Sequence, residues 1–264
     1  MNIRRLVRQS LNRVESLSYR NRRTIDNLFL ATVQKSGSQW VSAIFNDRRM
    51  RALTGLVRMP QRYYEYGEHV ARFPRGFFVP GLYVSYQTFE NFIEKPQRYR
   101  VVYIYRDPRD LVISDYYSTL KTHEENPAVV RLRKRLQNMS REEGIKYVMK
   151  YNDKFAVMRS WVELGVVDKN VMFVKFEELT SDPLEWFGRI LGHCDINVSV
   201  DVLAEILQEY SKEDMRRRDL ARRADKSESH YRFNASSHVR EFTDEHYELF
   251  RAITGNLLEV LGYA

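Results

Sequence analysis

Two short polar turns hold the residue types that grip phosphate-like anions. The first, Gln34-Lys35-Ser36-Gly37-Ser38-Gln39, directly follows the apolar run Leu28-Phe29-Leu30-Ala31-Thr32-Val33 and leads into a helical stretch from 40 to about 49. A turn from strand into helix leaves the first backbone N–H groups of the helix pointing outward, with the positive end of its dipole behind them, and so receives an anion. Gly37 permits close backbone approach, Lys35 adds a mobile positive charge, and Ser36 and Ser38 add hydroxyl donors. The G-x-x-x-x-G-K-[ST] loop of ATPases is not present, because it needs a second glycine before the lysine and a Ser or Thr straight after a Gly-Lys pair. Metal-dependent ATP hydrolysis is therefore not the expected chemistry. The second turn, Arg106-Asp107-Pro108-Arg109-Asp110, follows the strand-like run Arg100-Val101-Val102-Tyr103-Ile104-Tyr105 and leads into Leu111-Val112-Ile113-Ser114. Arg106 offers a planar fork to a phosphate, and Ser114 on the following helix adds a hydroxyl. Taken singly, the first reads equally as an ordinary strand-to-helix turn and the second as a surface Arg–Asp cluster. Both in order, each after its own strand, favour two phosphate grips.

The elements that must position these turns follow from the periodicity. Residues 28–33, 100–105 and 171–176 are short apolar runs rich in strand formers, each followed by a polar turn and then by helical spacing. Continuous apolar strands alternating with helices predict an α/β fold, a central parallel sheet flanked by helices on both faces. Residues 128–165 are predicted mostly helical, 211–240 a long polar loop able to order over a ligand, and 244–261 a closing helix. Residues 1–23 read as a basic helical arm, with Ile3, Leu6, Val7, Leu11, Val14 and Leu17 at helical spacing among seven arginines. The arm either packs on the domain that spans 24–264 or makes peripheral contact with an anionic membrane.

These motifs resemble those of sulfotransferases that use 3′-phosphoadenosine 5′-phosphosulfate (PAPS), of the soluble, cytosolic type. Thr32 to Trp40 is similar to the family's T-Y-P-K-S-G-T-T-W phosphosulfate loop: Lys35, Ser36, Gly37 and Trp40 match, Ser38 replaces a threonine, and Val33, Gln34 and Gln39 depart. Arg106 to Ser114 resembles the 3′-phosphate motif, an arginine at a strand end and a serine eight residues later. Lys175-Phe176-Glu177-Glu178-Leu179 with Asp182-Pro183 resembles Y-E-D-L with its trailing D-P, Phe176 standing where a tyrosine touches adenine. Ser211 to Met215 and Leu261-Gly262-Tyr263 resemble two further stretches. The family's R-K-G-x-x-G-D-W-K-N is represented only by Arg232 and the Phe242-Thr243 ending, so closure over the 3′-phosphate depends on an altered loop.

The resemblance implies one sulfotransferase domain with a P-loop-like phosphosulfate turn, PAPS as co-substrate, adenosine 3′,5′-bisphosphate as product, and no metal. It implies that Lys35, Ser36, Gly37, Ser38, Gln39 and Trp40 hold the 5′ end and Arg106, Ser114 and Arg232 the 3′-phosphate. Phe176 would contact the adenine; Trp40 would either stack on it or fill core. Lys35 is also the catalytic cation, stabilising the leaving phosphate.

No general base stands in the usual place. Many members carry K-x-H before the 3′-phosphate motif, where this chain has Val84-Ser85-Tyr86. His123 beyond Tyr116-Tyr117 and His69 in Tyr66-Gly67-Glu68-His69 are the candidates by position, with Glu68 the acidic alternative. Each of them reads equally as a capping or solvent-facing group. His193 beside Cys194 falls short of a zinc site and reads as structural.

Composition bounds the rest. The 264 residues, 43% hydrophobic and 13% aromatic, can bury a sizeable core. A net charge of +8 suits an anionic partner, with no specific nucleic acid expected. A single cysteine excludes an internal disulfide and a cysteine metal cluster and points to a reducing, cytoplasmic compartment, and no signal peptide or membrane span is expected. The acceptor is expected to be a hydroxyl or amine of a small molecule, lipid or glycan. Tyr63, Tyr64, Tyr66, Phe77, Phe78, Tyr83, Tyr86 and Phe89 either line its pocket or pack in the core. The competing reading is a non-catalytic nucleotide- or anion-binding protein on a degenerate sulfotransferase fold.

Overall fold

Asn27 opens the strand around which the sheet is laid. Strand β1 (Asn27–Thr32) is wholly buried, as a strand covered on both faces must be. The buried Asn27 amide donates from Nδ2 to Pro74 O at 3.0 Å, and its Oδ1 accepts from the backbone N–H of Gly76 and Phe77, both at 3.0 Å. That clamp sets β1 beside β4 (Phe77–Leu82). At the other end of β1, the Thr32 hydroxyl donates to Ile104 O at 2.6 Å and fixes the strand's exit against β6 (Tyr99–Tyr105). The computed structural model describes residues 15, 17–19, 21 and 23–263, save 61–70, 124, 223–228 and 230–235.

The chain divides into two compact units, Met1–Tyr105 with Glu163–Tyr210, and Arg106–Val162 with Ser211–Ala264. The first contains a five-stranded sheet, with β2 (Val57–Arg58) and β7 (Val171–Lys175) at its edges and the order β2-β4-β1-β6-β7, every pair parallel. A small parallel pair, β3 (Ala71–Arg72) and β5 (Ile93–Glu94), stands apart from it. The α/β class and the parallel sheet expected from the periodicity are thus present. Strand β4 is the element the periodicity does not announce, since Pro80 and Gly81 interrupt it. The sheet accommodates them through a register shift of β1 between Phe29 and Ala31, with Gly81 at φ 64°.

Helices of this unit are α1 (Ser38–Phe45), α2 (Arg48–Thr54), α3 (Tyr86–Phe92), α8 (Phe176–Ser181), α9 (Pro183–His193) and α10 (Val200–Glu209). The predicted stretch from 40 to about 49 is in fact two helices, because Asp47 stops the first and caps the second, accepting from Arg49 N–H at 2.8 Å. The core is aromatic: Phe29 meets Phe73, Phe89 and Tyr99 edge-on, and Phe45 stacks on Phe78 with centroids 4.6 Å apart. Phe77, Phe78 and Phe89 are therefore core rather than pocket wall, while Tyr83 and Tyr86 stay half-buried. Tyr63, Tyr64 and Tyr66 lie outside the described residues.

The second unit is helical: α4 (Pro108–Tyr117) runs into a π turn (Ser118–Thr122), followed by α5 (Pro127–Gln137), α6 (Arg141–Lys150) and α7 (Lys154–Leu164), then α11 (Lys212–Arg222), α12 (His238–Glu241), α13 (Asp244–Thr254) and α14 (Leu257–Leu261). Helix α11 corrects the expectation of a loop over 211–240. Its residues lack apolar periodicity but are strong helix formers, Ser211 Oγ caps it by accepting from Asp214 N–H at 3.2 Å, and among its described side chains Met215 alone is buried. The closing helix also breaks, at Gly255 with φ 56°.

Replacing Asn27 by Ala removes the clamp and leaves the Phe77 N–H buried without its acceptor. This variant should lose about 3 kcal/mol of stability, read as a lowered urea midpoint at unchanged m-value.

Candidate functional site

In the first unit the turn that leaves β1 bends the backbone into the left-handed region twice: Lys35 has φ 76° and Gly37 φ 82°, with Ser36 between them outside it. Alternation of this kind turns successive N–H groups toward one point, a nest for an anion. Holding the non-glycine Lys35 there costs about 1 kcal/mol or more, strain of the sort found at binding sites. Gly37 has no substitute, because a Cβ on it would lie 2.4 Å from Cε2 of the Phe176 ring. Helical bonding in α1 begins with the N–H groups of Trp40 and Val41, both donating to Gly37 O at 3.0 and 3.2 Å. No side chain caps this N-terminus and no acidic residue stands in its first turn, so its positive end is uncompensated by the helix itself. The Ser36 hydroxyl is fully buried and has no hydrogen-bond partner among the described residues. A buried hydroxyl left so costs about 1–3 kcal/mol, which a ligand oxygen would recover.

The remaining predicted residues of this turn take different parts. The Ser38 hydroxyl lies 2.9 Å from the Tyr83 hydroxyl, just beyond the end of β4, a partner the sequence motifs do not indicate. Gln39 is exposed on α1. Trp40 is buried among core groups, its Nε1–H donating to Tyr210 O at 2.7 Å and its ring edge-on to Phe187. Phe176 heads α8, half-buried against Gly37, where its first effect is to shape the turn.

In the second unit the Arg–Asp cluster separates into two pairs. Asp107 caps α4 by accepting from Arg109 N–H at 2.9 Å, and holds the Arg109 guanidinium through Nε at 3.0 Å and Nη2 at 2.7 Å. Arg109 Nη2 also donates to Tyr263 O at 3.2 Å, so Arg109 belongs to the architecture. Arg106 faces Asp110 instead, Nη2 to Oδ2 at 3.6 Å. Lys212, at the start of α11, is held below the usual lysine range by desolvation and then by the Arg106 charge. Ser114 is half-buried on α4, two turns along from its start.

Asp110 is itself tied down. Its Oδ1 accepts from His238 Nδ1 at 2.8 Å and from His238 N–H at 3.0 Å, and its Oδ2 from Ser236 N–H at 2.9 Å. Burial pushes its carboxyl up, but the His238 ring, the His238 N–H and the Arg106 charge together outweigh burial and hold it below the ordinary carboxylate range. A carboxylate only accepts, so Nδ1 carries the proton.

His123 is half-buried and closes the π turn, its N–H donating to Ser118 O at 2.8 Å and its carbonyl accepting from Arg133 Nη2 at 3.0 Å. His69, Glu68 and Arg232 lie outside the described residues. His193 Nε2 sits 2.9 Å from Asn170 O and serves the packing of β7's approach, as expected. Burial pushes the Cys194 thiol up to about 12, an inert group. Among the described residues no group of three or more His, Cys, Asp or Glu could hold a metal ion, and no helix is long and apolar enough to cross a membrane.

Known proteins share the chain's fold. The model of the sulfotransferase domain family matches residues 80–262. Mouse sulfotransferase SULT7A1 complexed with PAP is similar at 21% identity and TM-score 0.58, covering 90% of this chain and 89% of its own. Retinol dehydratase in a complex with retinol and PAP is similar at 16% identity and TM-score 0.53, covering 94% and 86%; the same protein with androsterone and PAP gives 0.54, covering 94% and 85%. No curated protein sequence matches the chain.

Because Asp110 titrates lower when folded than unfolded, its stabilisation is complete above the usual carboxylate range and lost as pH falls through the folded value. Asp110→Asn should therefore lower stability at pH 6 and show a shallower decline below about pH 4, measured by urea unfolding across that range.

Proposed function

The chain belongs to the sulfotransferase family, and from that premise we propose that it moves the sulfuryl group of PAPS onto a hydroxyl or amine of a small molecule, releasing adenosine 3′,5′-bisphosphate. The observation that carries this reading is the turn after β1: a nest of backbone N–H groups at an uncapped helix N-terminus, with Lys35 within it and a buried Ser36 hydroxyl unpartnered among the described residues. Such a cradle fits the 5′-phosphosulfate, with Ser38 and Gln39 beside it. Arg106 and Ser114, together with Lys212, are assigned to the 3′-phosphate, which a guanidinium fork and a neighbouring ammonium would neutralise. Half-buried Phe176 offers the aromatic surface at the turn and is assigned to the adenine, while Trp40, buried with its Nε1–H held by Tyr210 O, is assigned to the core beneath it. Arg232 is assigned to the 3′-phosphate on the sequence motif alone.

In the transfer, the acceptor oxygen or nitrogen forms a bond to sulfur while the bond from sulfur to the 5′-phosphate oxygen breaks. The bisphosphate leaves with the electron pair, and the acceptor's proton passes to a base. Lys35 and the amides of the turn oppose the charge that grows on the departing oxygen, and they act without rearrangement because the turn is already folded. His123 and His69 remain the assignments for the base, by position. A small, apolar, ring-bearing alcohol is the favoured acceptor class; half-buried Tyr83 and Tyr86 after β4 offer aromatic surface, and the similar retinol dehydratase structures hold retinol or androsterone. Lipid and glycan acceptors complete the panel to be tested. A cytoplasmic setting is in keeping with one buried free thiol, and the basic stretch 1–23 is assigned first to packing on the domain, as the Glu15–Arg51 pair and the Arg23 bond to Gly55 O support, with peripheral contact with an anionic membrane the alternative.

Transfer of label from radiolabelled PAPS to a panel of alcohols and amines tests the reading. Label should move to at least one acceptor, and Lys35→Ala should lower kcat about a hundredfold or more. Tight bisphosphate binding with no acceptor labelled would instead mark a nucleotide-binding protein without transfer.

A further inference from the structure

The sequence ahead of α12 lacks the glycines and the tryptophan that the family's closing motif uses, yet residues 236–238 are anchored. Three donors from residues 236–238 converge on one buried carboxylate: Ser236 N–H, His238 N–H and His238 Nδ1, at 2.9, 3.0 and 2.8 Å from Asp110. Asp110 is 2% exposed and His238 7%, so neither is a surface pairing of small effect. Ser236 adopts φ 53°, a left-handed conformation costly for a residue with a side chain, and its N–H bond to Asp110 offsets that cost. The His238 ring is packed edge-on against Phe242 and Tyr247, which fixes its plane and leaves Nδ1 aimed at the carboxylate. On its other oxygen Asp110 faces Arg106 at 3.6 Å. One carboxylate thus faces the arginine and fastens residues 236–238.

We propose that His238, acting through Asp110, is a positioning residue for the 3′-phosphate: it holds the carboxylate that sets Arg106 and ties down the segment 236–238. The proposal rests on the sulfotransferase reading of Arg106. Its physical content is a competition. Asp110 is an anion beside an anion site, and left with Arg106 alone it would pair closely with the guanidinium and withhold it from phosphate. Three N–H donors spread and satisfy the carboxylate's charge, so Asp110 faces Arg106 at 3.6 Å rather than in a close hydrogen-bonded pair. A neutral Nδ1–H suffices for this, and the role needs a donor at that place rather than a titrating ring.

Titration of the full chain with adenosine 3′,5′-bisphosphate and with adenosine 5′-monophosphate, followed by calorimetry, separates the possibilities. His238→Ala should weaken the bisphosphate about tenfold, the loss of one charge-assisted bond, and leave the monophosphate unchanged. His238→Asn, whose amide can donate from nearly the same place as Nδ1, should restore most of the loss. Equal weakening of both nucleotides, an unchanged preference in His238→Ala, or no rescue by Asn would each overturn the proposal. A wild-type chain with no preference for the bisphosphate would overturn the reading of Arg106 beneath it, a result distinct from a preference that His238→Ala simply retains.

Discussion

The left-handed bends at Lys35 and Gly37 are the constraint on which the functional part of the first unit is arranged. They exist because β1 ends at the middle of a parallel sheet and the chain must reverse into α1 within a few residues. The chain passes from β1 to β2 and β4 on one side, while β6 and β7 occupy the other, so β1 and β6 meet at the point where the strand order reverses, the usual ligand crevice of an open α/β sheet. Asn27 sets the start of β1 and Thr32 its end. Phe176 then closes on Gly37 so tightly that only glycine fits. The backbone that would cradle a phosphate is in this way fixed by strands and an aromatic ring before any ligand arrives.

The second unit solves a different problem, the placing of charge. Arg109 and Asp107 neutralise each other and begin α4; Arg106, Asp110, His238 and Lys212 form a set in which the cations outnumber the carboxylate when His238 is neutral. Desolvation, and after it the charge of Arg106, holds Lys212 below the usual lysine range.

Much of this was legible in the sequence, and the limits have physical causes. The strand, turn and helix around Lys35, Ser36 and Gly37 could be read because that order is local. The strand end at Arg106 could be read for the same reason. Tyr83 could not, since its meeting with Ser38 depends on which strand lies beside β1, and β4 hides its identity behind Pro80 and Gly81. Helix α11 was missed because it is held by a cap and one buried methionine rather than an apolar stripe. His238 drew no role from its neighbours in sequence; its partner Asp110 is 128 residues away. The aromatic segment around Phe77, Phe78 and Phe89 read equally as pocket or core, and burial of these three side chains decides for core.

The central claim is that the chain grips one nucleotide by two separate phosphates, and a binding cycle tests it most directly. Adenosine 3′,5′-bisphosphate and adenosine 5′-monophosphate are each titrated into wild type, Lys35→Ala, Arg106→Ala and the double variant. The account predicts that Lys35→Ala weakens both ligands, that Arg106→Ala weakens only the bisphosphate, and that the two effects add for the bisphosphate. Loss of neither interaction on substitution, or an Arg106→Ala effect equal for both nucleotides, would contradict it.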